Sequence, residues 1–191
     1  MPRKTDSRER MIRTAARLFR AQGFSATGWR QVIAESETPW GSQAHHFPGG
    51  KEQLAADALT VAADQVTRAL RAATRDVHPA EAVARWAVAA EAELRASRWA
   101  DGCPVATVVL ETAHTSDPLA AVGAAALAAW SSVLAEALAA QGVPAEEADS
   151  LSVLLLAAME GALLLARAQR AAAPLQTVAA ELGRTLRARV P

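Results

Sequence analysis

Residues 27–54 read TGWRQVIAESETPWGSQAHHFPGGKEQL, and this stretch decides the fold. Thr27 stands where a helix N-cap accepts a backbone N–H, and an apolar helical segment follows it. The polar residues 36–38 predict a tight turn, after which Pro39 predicts the first position of a second helix. Phe47 closes that helix before a Pro-Gly-Gly break. Two short helices, the second exposed and polar, predict a helix-turn-helix, a motif that seats a helix in the DNA major groove.

The segment from Arg8 to Leu54 resembles the TetR family of bacterial transcriptional regulators. The matching residues are Ala15-Ala16-Arg17-Leu18-Phe19, Gly23-Phe24, Gly41-Ser42, His46-Phe47 and Lys51-Glu52-Gln53-Leu54. The run HHFPGGKE at 45–52 and the run GCPVA at 102–106 are similar to the LmrA/YxaF-like branch. The resemblance implies an all-α, nine-helix TetR-like fold. Residues 1–50 would be a three-helix helix-turn-helix DNA-binding domain, and residues 51–191 a helical domain for effector binding and dimerisation.

Composition independently favours helices and one basic end. Of 191 residues, 51% are hydrophobic, and Ala and Leu, which dominate, are strong helix formers. Residues 1–52 contain nine Lys or Arg and five Asp or Glu, so they carry +4 and the remainder −4. A basic end on an acidic body is expected when one end meets phosphates. Arg3 and Lys4 either fray or reach the DNA backbone or minor groove.

Nothing in the sequence indicates a secreted or membrane protein. The single Cys103 excludes an intrachain disulfide and is typical of a reducing cytosol. The charged N-terminus precedes no apolar signal region. Residues 151–166 come nearest to a membrane span, but they are shorter than the ~20 residues required and contain Glu160. We therefore expect a soluble, cytoplasmic protein that does not enter the membrane.

Helical periodicity continues to the C-terminus. Beyond the motif it predicts helices over about 51–74, 79–99, 105–112, 116–141, 144–170 and 174–189. The eighth helix is apolar around its whole circumference, so a second subunit should cover the side that its own chain leaves open. The resemblance implies that the last two helices form a four-helix bundle with their symmetry mates. The predicted homodimer interface comprises Leu154, Gly161, Ala162, Leu165, Leu175, Val178, Leu182 and Leu186. The alternative is a monomer with exposed leucines.

No catalytic, metal or cofactor site is predicted. His45 and His46 are adjacent, so on a helix they point about 100° apart and do not easily share a metal. Gly49-Gly50-Lys51 lacks the other glycines of a phosphate-binding loop and follows no strand. Cys103 has no nucleophile–base pattern around it.

The candidate DNA contacts cluster in the motif. They are Thr27, Gln31, Trp40, Gly41, Ser42, Gln43, His45, His46 and Lys51. By resemblance, Thr27, His46 and Lys51 hold phosphates, which set register without reading sequence. Gln43 could pair with an adenine edge and Ser42 with either partner.

Four positions depart from the family pattern. Glu37 replaces a turn glycine, Gln43 a leucine, Ala44 a phosphate-holding tyrosine, and Trp40 a small or basic residue. Because that leucine normally packs inward, Gln43 is either a base reader or a polar group beside a small core. Trp40 either contacts a thymine methyl and sugar or lies exposed without a partner.

Three tryptophans in the second half suggest an apolar effector cavity. The candidate lining is Trp86, Trp99, Cys103, Val108, Glu111, Trp130, Met159 and Leu163, with Glu111 able to balance a cationic ligand. For each tryptophan alone, ordinary core is the competing interpretation.

The sequence as a whole predicts a homodimeric, ligand-responsive transcriptional regulator. It would act as a repressor that a small hydrophobic effector releases from double-stranded operator DNA. A second hypothesis is a helical small-molecule-binding dimer that keeps the motif but has lost sequence-specific DNA binding, because Gln43 and Ala44 replace Leu and Tyr. A helical enzyme is a distant third.

Overall fold

A computed structural model describes residues 4–190, and over this range the chain forms nine α-helices and no strand. The helices are α1 (Lys4–Gln22), α2 (Trp29–Ser36), α3 (Ser42–His46), α4 (Gly50–Thr74), α5 (Pro79–Ala96), α6 (Ala106–Thr112), α7 (Asp117–Ala139), α8 (Ala145–Gln169) and α9 (Ala173–Arg189). The predicted all-α, nine-helix architecture is confirmed. Residues 1–3 of the predicted basic arm, Arg3 among them, lie outside the described residues.

Two compact units make up the described chain. The first runs to Asp64 and takes in Cys103–Ala126, so it contains α1, α2, α3, α6 and parts of α4 and α7. The second combines Gln65–Gly102 with the chain from Leu127 onward, and it contains α5, α8, α9 and the remainder of α4 and α7.

In the first unit, α1 packs against α2, α3 and α6. The side chains that α1 buries recur every three or four residues: Met11, Ile12, Ala15, Leu18 and Phe19. This spacing places them on one side of the helix, as an amphipathic helix requires. The rings of Trp29 and Phe47 lie 5.9 Å apart and connect α2 to the end of α3. The core thereby holds the helix-turn-helix segment on α1.

In the second unit, α9 packs against α5 and α8. The buried residues of α9 again follow helical spacing: Leu175, Ala179, Leu182 and Leu186. On α8 the buried side includes Leu151, Leu155, Met159, Ala162 and Ala166. Another side of α8 exposes large apolar residues, namely Val153, Leu154, Leu164 and Leu165. One chain therefore covers only part of this apolar helix.

Two helices, α7 and α8, are long and apolar enough to cross a membrane by length and composition alone. The apolar run 151–166 lies within α8, which has 25 residues and carries charged residues at both ends. Core helices pass the same test, and α8 buries one side inside its own unit.

Candidate nucleic-acid interface

The residue that ends α2 is left-handed but is not the glycine that this conformation favours. Glu37 adopts the left-handed conformation, with φ 52°, and its N–H bonds to the carbonyl of Ala34. A left-handed residue with a Cβ costs about 1–2 kcal/mol. Beside it, the buried hydroxyls of Ser36 and Thr38 share a 2.8 Å hydrogen bond. The departure at Glu37 thus keeps the turn but adds strain.

A second turn separates α2 from α3, where the sequence predicted helix from Pro39 onward. That prediction was wrong, because α3 begins at Ser42. The Ser42 N–H donates to the Pro39 carbonyl at 3.2 Å, and Gly41 has φ 94° and ψ −19°. These are the values of the third residue of a type II turn, a position that requires glycine or asparagine. Gly41 is therefore needed for its backbone conformation.

Two predicted base readers hold this turn together. The hydroxyl of Ser42 donates to the Pro39 carbonyl at 2.6 Å. The side-chain oxygen of Gln43 accepts from the Gly41 N–H at 2.8 Å. Gln43 is half-buried, and its amide satisfies the backbone locally. Sequence reasoning missed this role, although a glutamine two residues after a turn glycine can bond back to it.

No residue of α3 is buried, whereas Phe47, which follows it, is. Ala44 and His45 are exposed, and Trp40, in the preceding turn, is 68% exposed. The rings of His45 and His46 lie 5.1 Å apart, edge to face. The outward side of this segment thus presents an indole, a methyl group and an imidazole.

Thr27 is buried, with 1% of its surface exposed. Its hydroxyl donates to the Gly23 carbonyl at 2.8 Å and accepts from the Gln22 amide at 3.1 Å. The predicted N-cap role was wrong: Gly28 occupies that position, and no side chain caps α2. A phosphate contact from Thr27 stays a prediction.

Gln31 belongs to a polar network on the outside of α1 and α2. Its carbonyl accepts from the Gln22 amide at 2.8 Å, and its own amide donates to Glu35 at 2.9 Å. Glu35 also pairs with Arg17. Hydrogen bonds from Arg17 and then Gln31 hold the pKa of Glu35 below its ordinary value, outweighing a small effect of burial. This network links the exposed sides of α1 and α2, and a DNA contact from Gln31 stays a prediction.

Lys51 lies at the start of α4, with its ammonium 4.2 Å from the centre of the Phe24 ring. Burial lowers the pKa of Lys51, and the charge of Glu111 partly raises it again. The predicted phosphate contact of Lys51 therefore has to form from a half-buried position on this ring.

Glu111, which we assigned to the effector cavity, instead contacts the α1–α2 corner of its own unit. Its carboxylate accepts from the Ser25 N–H at 2.8 Å. Its side chain also fills the place that a Cβ would take at Gly23, which has φ 83°. Burial raises the pKa of Glu111, but bonds from Ser25 and Phe24 and the charge of Lys51 bring it below its ordinary value.

The other predicted effector residues are divided between the units. Cys103 and Val108 are buried in the first, whereas Trp130 and Met159 are buried in the second. Within the second unit, Trp86 lines a small apolar cavity of about 20 Å³, roughly the room of one water molecule. Its other walls are Leu70, Ala73, Thr74, Pro79, Ala82, Val83, Leu134, Ala137, Leu138 and Leu155. Trp99 lies near Arg95, whose guanidinium is 5.5 Å from its ring, and Leu163 is half-buried.

The predicted dimer residues also fall into two sets. Leu154, Gly161 and Leu165 are exposed on α8, and a Cβ added at Gly161 would meet nothing within 4 Å. Leu175, Leu182 and Leu186 on α9, together with Ala162, are buried inside the chain, and Val178 is half-buried. The buried α9 leucines are therefore core of their own chain, whereas the predicted interface residues that stay exposed lie on α8.

Across the described residues, no group of three or more His, Cys, Asp or Glu is placed to hold a metal ion.

Comparison with known proteins identifies the family of this helical chain. Residues 79–181 match the family described as "Transcriptional regulator LmrA/YxaF-like, C-terminal domain". The chain is 33% identical over 183 residues to the uncharacterized HTH-type transcriptional regulator YxaF of Bacillus subtilis, covering 95% of this chain and 96% of that protein. It is 33% identical over 171 residues to the HTH-type transcriptional regulator LmrA of the same organism, covering 89% and 91%.

A solved structure shows the same fold. The regulatory protein TetR from Rhodobacter sphaeroides superposes with a TM-score of 0.83 at 22% identity, over 92% of this chain and 96% of that one. The exposed α3, the turn before it and these matches agree with one another. The chain belongs to the TetR family of helix-turn-helix transcriptional regulators, in its LmrA/YxaF-like branch.

Proposed function

We propose that this regulator binds operator DNA as a homodimer and leaves it when a small hydrophobic effector enters the helical body. The observation that carries the proposal is the outward side of the helix-turn-helix, where Trp40, Ala44 and His45 are exposed around a turn that three hydrogen bonds hold. A short helix whose preceding turn is held by hydrogen bonds, and whose following residue Phe47 is buried in the core, is preorganised for a major groove.

The second part of the proposal is a two-fold dimer formed through α8. The exposed Val153, Leu154, Leu164 and Leu165, with Gly161 between them, recur at helical spacing and form one apolar face. A face of this kind on a soluble chain marks an interaction surface. Because Gly161 has no side chain, two α8 helices could approach closely across it. In a two-fold dimer, the helix-turn-helix segments of the two subunits would enter successive major grooves about 34–36 Å apart.

The third part concerns the effector. The apolar cavity of the second unit, with Trp86 in its wall, is the proposed entry point. Drug-sized ligands occupy roughly 300–1,000 Å³, so binding has to enlarge a cavity of about 20 Å³ by moving its helices. A ligand that favours an enlarged body at the expense of the DNA-bound conformation lowers DNA affinity, and DNA must weaken ligand binding by the same factor.

A mobility-shift titration with the upstream region of the protein's own operon tests DNA binding. A specific complex should form whose affinity falls steeply as salt rises, because the protein displaces counterions from phosphates. A random duplex of equal length is the control. Equal affinity for both duplexes would overturn the proposal that the protein regulates a specific operator.

One alternative has an observation in its favour. The side-chain oxygen of Gln43 accepts from the Gly41 N–H, and Ala44 stands where the family pattern has a tyrosine. The chain could therefore be a ligand-binding dimer without sequence preference. That alternative predicts thermal stabilisation by hydrophobic compounds together with DNA binding that does not discriminate operator from random duplex.

A further inference from the structure

The turn before α3 holds Trp40 outward by fixing the residues on either side of it. Pro39 accepts two hydrogen bonds from Ser42, one from its N–H at 3.2 Å and one from its hydroxyl at 2.6 Å. The Gly41 N–H donates to the side-chain oxygen of Gln43. The indole is thus attached to a closed turn rather than to a free loop.

This arrangement changes which side chains are available to read bases. The hydroxyl proton of Ser42 and the amide oxygen of Gln43 are committed to the turn. A bidentate contact with adenine needs a donor and an acceptor from one amide, and here the acceptor is already shared. Trp40 and Ala44 are both exposed and present apolar surface instead.

In the major groove, the apolar feature that distinguishes one base from the others is the C5-methyl group of thymine. An indole that is 68% exposed leaves a large apolar surface in water, and burial against a methyl group would remove part of that cost. We infer that Trp40 is a specificity-determining residue that reads a thymine methyl group in each operator half-site, with Ala44 beside it. This inference rests on the proposed function, since it requires operator binding.

Replacing single thymines of the operator by deoxyuridine tests the inference, because only the methyl group is lost. At one thymine per half-site the dissociation constant should rise about fourfold, the factor that burial of one methyl group contributes. Replacement in both half-sites should multiply the two factors to about fifteenfold. All other thymines should tolerate the change.

The protein variants identify the side chain responsible. Trp40→Ala should weaken binding to the thymine operator and abolish the preference for thymine over uracil, whereas Trp40→Leu should keep part of that preference. Val88→Ala, at an α5 position that is 69% exposed, is the matched control and should leave affinity and preference unchanged. Circular dichroism should show equal helix content in all three variants.

The possible failures are distinguishable. No specific binding by the unaltered protein would overturn the proposed function and this inference with it. Specific binding that is indifferent to every thymine-to-uracil change would overturn the inference alone. A Trp40→Ala variant that binds weakly but keeps the full thymine preference would also overturn it, since the indole would then contact sugar or phosphate.

Discussion

Replacing Gly23 by alanine should destabilise the first unit for two separable reasons. Gly23 ends α1 with φ 83°, and in that left-handed region a residue with a Cβ costs about 1–2 kcal/mol. The new Cβ would also overlap the carboxylate of Glu111, which must move and give up its 2.8 Å bond to the Ser25 N–H. Because Glu111 is half-exposed and water replaces part of that bond, we expect this loss to cost about 1 kcal/mol.

The expected total is a decrease of about 2–3 kcal/mol in the free energy of unfolding, or roughly 4–12 °C in Tm for a chain of this size. Urea unfolding at one fixed protein concentration measures it, since the proposed dimerisation would make stability depend on concentration. Gly41→Ala is the matched control: it has φ 94° but open space around the Cβ, so it should show the backbone cost alone.

A double-mutant cycle isolates the steric part. In a Glu111→Ala background, Gly23→Ala has no carboxylate to displace, so its cost should fall by about 1 kcal/mol. Equal costs in both backgrounds would show that Glu111 does not occupy this space. A Gly23→Ala variant within 0.5 kcal/mol of the parent would refute the backbone argument as well.

Three further perturbations have defined outcomes. Glu37→Gly removes the left-handed strain at the end of α2, and the backbone entropy of glycine offsets part of this gain. The free energy of unfolding, measured by urea titration, should rise by about 0.5–1 kcal/mol. Glu37→Ala, which keeps a Cβ, should not raise it. Leu165→Glu places a charge on the exposed α8 face and should shift sedimentation velocity towards monomer; Leu110→Glu, at an α6 position that is 78% exposed, should not, and equal effects would contradict the α8 interface. The pKa of Glu111 is below its ordinary value in the folded chain, so its stabilisation is present above that ordinary value, about 4.3, and disappears as pH falls through the folded-state value. Glu111→Gln should therefore be less stable than the parent at pH 7, and the difference should shrink as the pH falls below that ordinary value; a difference that does not change with pH would contradict the assignment.

The long helices could be predicted because their apolar residues repeat with helical spacing over many positions. The motif, whose α3 buries no residue, could be predicted from its turn residues and its resemblance to the family. The fine structure of the motif could not. A threonine before a helix favours a cap, but here Thr27 bonds back to Gly23 and leaves Gly28 at the cap. Pro39 favours a helix start, yet Gly41, two residues later, takes a positive φ that ends any helix there. At the first place Gly28 takes the N-cap, and at the second Gly41 prevents a helix from starting at Pro39.

Which partner covers an apolar side chain is harder to read from sequence. Leu182 of α9 and Leu165 of α8 look alike in the pattern, but the first is buried within its own chain and the second is exposed. Helical periodicity shows that an apolar side chain will be buried, but it does not show whether its own chain or a second subunit buries it. Both provide the same apolar surroundings. The same limit applies to the predicted effector residues, where buried Trp130 and cavity-lining Trp86 give the same signal.

For the effector proposed to bind at the cavity of about 20 Å³, the small size of this cavity has a consequence for the measured affinity. A compound that needs a wider site pays first for the opening equilibrium, and its measured Kd is the intrinsic one divided by the open fraction. If about one molecule in a hundred is open, an intrinsic affinity of about 10 nM is measured as about 1 μM. Substitutions that raise the open fraction should then lower the measured Kd for many compounds at once.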